Sequence, residues 1–328
     1  MSKNIVICCD GTGNEYGEKN TNVVKLFESL DLSDPSMQIG YYDPGVGTFS
    51  SPAAITKTAK WLSKLWGLAF AFGITQNIED AYEYLMDKYI DGDRVYLFGF
   101  SRGAFTVRAL AGMLYKCGLL QKGSNNLISY ATNMYRRGKP EVAAGFKKTF
   151  SRECRPHFIG VWDTVKSVGL FVPRKFPNAR LNPDVKYGYQ ALAIDEKRSK
   201  FRPNLWDPPV SPEQMIEQVW FAGVHCDVGG SYSKDGLANI ALQWLAHRAE
   251  SRGLNILKSE LAKAKTDPCD KLHNSLLPIW WLLGWKRRKI ENGSKIHSSV
   301  VVRMENCNLG YRPKNLPAPG EFEIVNDG

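Results

Sequence analysis

The chain has 328 residues, with 43 lysines and arginines against 33 aspartates and glutamates and a formal charge of +10, and is long enough to bury one substantial core. The positive balance favours anionic surfaces, nucleic acid or phospholipid, but no zinc finger or RNA-recognition signature occurs, so no specific nucleic-acid partner is expected. No apolar run reaches the ~18 residues of a spanning helix, and the seven cysteines form neither a repeating framework nor a metal-ligand spacing, which suggests reduced core thiols.

In chain order, residues 4–9 read as a short buried strand that runs into Asp10-Gly11-Thr12-Gly13-Asn14. That strand is too short for a secretory core, so synthesis and residence in the cytosol are expected; a secretion machine that needs no cleaved signal is compatible with the same start. Gly11, Gly13 and Gly17 miss the dinucleotide spacing by one residue, and Thr12 stands where a phosphatase would carry its second aspartate. A backbone N–H of Gly11 or Thr12, together with that of Arg102, is instead expected to face an oxyanion. After a strand at Gln38, Lys57, Lys60 and Lys64 adjoin an apolar face of Trp61, Leu65, Leu68 and Phe72, an amphipathic helix read first as packing on the core. Residues 77–89 make a helix closed by Asp91-Gly92-Asp93.

Residues 94–98 form an apolar strand leading into Gly99-Phe100-Ser101-Arg102-Gly103 and a helix-like run. This order lifts a serine hydroxyl above a sheet edge and makes Ser101 a candidate nucleophile, with helix N-capping as the plainer role. The strand at 156–162 ends at Asp163, and the strand at 218–224 ends at His225, inside Gly223-Val224-His225-Cys226-Asp227-Val228-Gly229-Gly230. Ligands collect outside the carboxyl ends of parallel strands, so Ser101, Asp163 and His225 can converge. Imidazole can take the serine proton while a carboxylate fixes its tautomer. Asp163 is favoured as the acid, with Asp227 and Asp10 as alternatives.

Residues 203–210 are proline-rich and form a loop. Beyond Asp267 a peripheral C-terminal extension is expected, with a further strand at Ser299. Within it, Trp280, Trp281 and Trp285 precede Lys286-Arg287-Arg288-Lys289, a composition suited equally to an anionic membrane surface and to a protein contact. Strands alternating with helices predict an α/β fold with a mostly parallel sheet, helices on both faces and loop insertions, in one catalytic domain.

Several blocks together resemble a known family: residues 9–14 with Asn20-Thr21-Asn22-Val23, residues 41–48, Gly99 to Ala104, residues 160–165, residues 191–198 and residues 223–230. The chain is similar to the alpha/beta-hydrolase domain family, formerly of unknown function, that includes the first family of bacterial type VI secretion lipase effectors. The resemblance implies a Ser-Asp-His triad at Ser101, Asp163 and His225, phospholipase activity without metal or organic cofactor, and a secretion-machine or immunity protein as partner. Cys226 stands where a serine is common. The expected activity is carboxylic-ester hydrolysis, with a noncatalytic module of a secretion or defence assembly as the alternative.

Overall fold

The computed structural model describes residues 2–11, 17–45, 59–165, 181–276, 284–307 and 309–327, with backbone alone for 59–72. Eight strands form one sheet in which every pairing is parallel. In sequence order they are β1 (Asn4–Cys9), β2 (Gln38–Asp43), β3 (Arg94–Phe100), β6 (Pro156–Trp162), β7 (Tyr187–Ala193), β8 (Met215–Phe221), β9 (Lys295–His297) and β10 (Glu323–Val325), while β4 (Leu119–Leu120) and β5 (Ser151–Arg152) make a separate antiparallel pair. The spatial order β10-β9-β8-β7-β6-β3-β1-β2 reverses direction at β1 and β3. That reversal is the switch point where such sheets open a crevice beyond their carboxyl ends.

Helices cover both faces: α1 (Asn22–Glu28), α2 (Ala59–Lys88), α3 (Arg102–Cys117), α4 (Ile128–Arg137), α5 (Pro140–Phe150), α6 (His225–Gly229), α7 (Gly236–Glu250), α8 (Lys258–Leu261) and α9 (Ser298–Glu305). The period of two along β1 separates the layers. Ile5, Ile7 and Cys9 join Val107, Leu110 and Leu114 of α3, whereas Val6 and Cys8 join Leu26 of α1 and Trp244 and Leu245 of α7. With both faces covered, central strands such as β3 read as continuous apolar runs.

Three sequence expectations are corrected. The strand expected at Ser299 is the helix α9; the His297 side chain accepts the Ser299 N–H at its start, and this cap outweighs the β propensity of the valines that follow. Strand β9 lies just before it. Strand β7 was not expected, because its Gly188, Gln190 and alanines dilute the β-branched signal, yet it sits centrally between β6 and β8. Finally, Cys269 and Cys307 are joined as a disulfide with Cα atoms 5.3 Å apart. Cys8, Cys9, Cys117, Cys154 and Cys226 are free thiols. The segment after Asp267 supplies the last two strands on one side of the sheet, β9 and the edge strand β10, as well as this bridge. Among the described residues, no helix is long and apolar enough to cross a membrane.

Candidate active site

Ser101 sits at the junction of β3 and α3 with φ 56° and ψ −110°, a strained conformation for a residue with a side chain. The turn is possible because α3 passes against β1: a Cβ at Gly103 would lie 1.9 Å from the Cys9 carbonyl oxygen. The partly exposed hydroxyl meets His225, with Oγ 2.9 Å from Nε2. The other ring nitrogen, Nδ1, lies 2.6 Å from Asp163 Oδ2. The structure therefore brings together the three residues expected to converge.

Each reaches the cluster from a strand end. Ser101 follows β3 and Asp163 follows the neighbouring β6. His225 comes from β8, two strands beyond β6, so its chain must turn back toward β3. Gly223 makes that turn at φ +115°, where a Cβ would also strike the Asp227 side chain at 2.3 Å. The imidazole is buried, held 4.6 Å from the Phe100 ring and 5.1 Å from the Phe201 ring. Arg198 covers Phe201 at 3.5 Å and also binds Glu196, whose carboxylate accepts the His225 backbone N–H.

Asp163 is fully buried at φ 40°. Its Oδ1 accepts from Ala193 N at 3.0 Å and Arg288 Nη1 at 2.5 Å, and its Oδ2 accepts from Arg288 Nη2 at 2.9 Å. Burial by itself would raise this carboxyl, but the Arg288 charge and the hydrogen bonds from His225 and Arg288 outweigh it and hold the group well below the usual carboxylate range. Asp163 stays ionised wherever an imidazole titrates.

The alternative acids are engaged elsewhere. Asp227 Oδ1 pairs with His273 Nδ1 at 2.6 Å, while its Oδ2 accepts from Val224 N and His273 N. Burial dominates there and pushes its carboxyl up. Asp10 accepts from Thr21 Oγ1 at 2.5 Å, from the Tyr42 hydroxyl at 3.1 Å and from Gly11 N at 2.6 Å. The Gly11 N–H expected at an oxyanion is thus committed to Asp10, because the carboxylate folds back onto its own turn. Thr12 lies outside the described residues. Arg102 opens α3, where the amide dipoles present positive charge beside Ser101, and burial lowers its guanidinium to about 10.

Trp280 and Trp281 also lie outside the described residues. Trp285 is 42 % exposed. Its segment runs along the 197–199 loop through Lys286 N to Lys197 O and Ser199 N to Gly284 O. Lys286, Arg287 and Lys289 face outward, but Arg288, expected to share their surface role, is buried against Asp163. Sequence reading missed it because a run of cations conceals an alternation. The signal was Ile290, which with Arg288 marks the inward positions of an extended segment. Among the described residues, no group of three or more His, Cys, Asp or Glu side chains is arranged to hold a metal.

A parallel sheet with a serine on a strand-turn-helix corner, a histidine against its hydroxyl and a carboxylate behind the histidine defines an α/β-hydrolase-like protein. Residues 3–248 match the family model described as T6SS, phospholipase effector Tle1-like, catalytic domain, and the chain belongs to that family. It is 38 % identical over 224 residues, 63 % of the chain, to the uncharacterized protein YEL023C of Saccharomyces cerevisiae, and spans 33 % of that relative's length. A relative in yeast means that membership does not by itself imply a bacterial source. Among solved structures, an uncharacterized protein from Pseudomonas aeruginosa matches 82 % of this chain and 49 % of its own, at 18 % identity and a TM-score of 0.47. The Tle1 effector bound to the VgrG spike of the type 6 secretion system matches 71 % of this chain and 52 % of its own, at 18 % identity and a TM-score of 0.40.

Proposed function

We propose that this chain is a serine carboxylic-ester hydrolase acting on acyl esters of membrane phospholipids. The observation that carries the reading is the continuous relay in which His225 lies 2.9 Å from the Ser101 hydroxyl and 2.6 Å from Asp163. Family membership supports phospholipid as the substrate class.

In this reading Ser101 Oγ attacks the acyl carbon while its proton passes to His225 Nε2. The positive end of α3, with the Arg102 N–H, stabilises the oxyanion of the tetrahedral intermediate. Collapse breaks the ester C–O bond, and His225 returns the proton to the departing alcohol. Water, deprotonated by His225, then attacks the acyl-serine and releases the fatty acid and free serine. Trp285 with Lys286, Arg287 and Lys289 forms an anionic-membrane contact, an arrangement that suits headgroup phosphates.

The test combines a fluorophosphonate probe with product analysis of phospholipid vesicles. Labelling of wild type but not Ser101→Ala, together with fatty-acid release that needs Ser101, is the expected result. A folded wild type that takes no label and releases no fatty acid would overturn it in favour of a noncatalytic module.

A further inference from the structure

We infer that Arg288 is a positioning residue for the relay, clamping Asp163 in the orientation and charge state that lets His225 work as a base; the inference rests on the reading of Ser101, His225 and Asp163 as a triad. Arg288 lies beyond the residues matched by the family model, on the C-terminal segment. Its guanidinium grips both Asp163 oxygens, at 2.5 and 2.9 Å, and is itself fixed by the carbonyls of Ala193 at 2.9 Å and Phe201 at 2.7 Å. Such a two-pronged pair sets direction as well as charge.

The geometry has two consequences. Asp163 Oδ2 accepts from His225 and Arg288 together, so Arg288 fixes the plane of the carboxylate that the imidazole must meet. It also supplies the positive charge that holds the Asp163 carboxyl well below the usual carboxylate range, so the group that orients His225 stays ionised. Among the described residues, Glu196, at the His225 backbone N–H, and Arg198, which neutralises Glu196, also lie beside the pair. Arg288 is thus the cation in direct contact with the triad carboxylate among the described residues. Phe201, which accepts from Arg288 through its carbonyl, lies with its ring 5.1 Å from that of His225, so Arg288 braces both the carboxylate and one aromatic neighbour of the imidazole.

The experiment compares full-length wild type, Arg288→Lys and Arg288→Gln on a soluble short-chain ester across pH. Loss of the clamp is expected to lower kcat roughly 10- to 100-fold by misplacing the base, with KM nearly unchanged. In Arg288→Gln the acid limb of the kcat/KM profile moves to higher pH, and in Arg288→Lys, which keeps the charge but not the two prongs, kcat falls while the limb stays near wild type. An acid limb common to all three proteins, or a fall in activity that matches only a fall in folded protein, overturns the inference. If Arg288→Gln does not fold, Arg288→Lys decides: an unchanged kcat sinks the proposal. A readout independent of turnover is the low-field proton resonance of the His225 Nδ1–H to Asp163 bond, expected to shift or broaden in Arg288→Lys; an unmoved resonance counts against the clamp. Failure of the triad reading looks different, since Ser101→Ala would then retain activity or the wild type would take no fluorophosphonate label.

Discussion

Two histidine-aspartate pairs lie side by side in this molecule with the same 2.6 Å separation: His225 with Asp163, and His273 with Asp227. Asp227 stands only two residues from His225 in sequence, yet the pairs differ at both ends of that bond. The first has a serine hydroxyl on the far ring nitrogen and a guanidinium behind its carboxylate. In the second, the imidazole stacks on Tyr232 at 3.9 Å and the carboxylate takes backbone N–H groups from Val224 and His273. That bonding stitches α6 to the C-terminal segment. A short contact between the two residue types therefore does not define a relay; the groups at its two ends do.

The sharpest way to break this comparison is to remove a group from each pair and from the end of each pair. Ser101→Ala and His225→Ala should each lower ester hydrolysis by more than ~10⁴-fold without loss of the fold, since catalysis by such units collapses when one member is removed. Hydrolysis assays and circular dichroism on the same preparations check both halves. Asp163→Asn should cost about 10⁴-fold per folded molecule, the size seen when a serine protease is given the wrong tautomer. It also leaves the Arg288 charge buried without its ion partner, at roughly 3–5 kcal/mol in denaturant titration. By contrast Asp227→Asn should keep activity within about tenfold while losing on the order of 1–3 kcal/mol through its buried amide bonds. A dead Asp227→Asn beside an active Asp163→Asn would exchange the two roles.

The pairs should also diverge with pH. Asp163 is depressed in the fold, so its contribution to stability is full above the unfolded carboxylate value and disappears as pH falls through its lower folded value. Asp227 is raised, so the folded state takes up its proton first and acid favours the fold at that residue. Unfolding midpoints followed from neutral to acid pH should show a steeper loss in Asp227→Asn, which lacks the compensating group, than in Asp163→Asn, which lacks the sensitive one. Parallel curves would erase the electrostatic distinction.

The smallest expected effect concerns the tryptophans of the C-terminal segment. Binding of the wild type to anionic vesicles should weaken as salt screens Lys286, Arg287 and Lys289, with a Debye length of ~8 Å at physiological strength, and replacing Trp280, Trp281 and Trp285 by alanine should reduce activity on those vesicles several-fold. Activity on a soluble ester should hold. Equal losses on both substrates would mean that the segment serves the core through Arg288 and not the membrane.

The amino-acid sequence by itself carried the parallel sheet, because strands covered on both faces read as apolar runs, and it carried the Ser101 corner, because glycines mark where backbones nearly touch. It placed Asp163 and His225 at strand ends, where topology can make them meet, though with Asp227 as close a rival. Only the tertiary structure shows which of the two aspartates faces His225. Sequence distance says nothing of which way a carboxylate turns, and Asp227 turns to His273 while Asp163 faces His225 across 62 positions. Tertiary structure also drew Arg288 out of a basic run and into the interior, 125 residues from its partner. A cation can be buried only where an opposite charge and oriented carbonyls replace its water; those partners come from strands and loops distant in the chain, so its inward position follows from the completed fold.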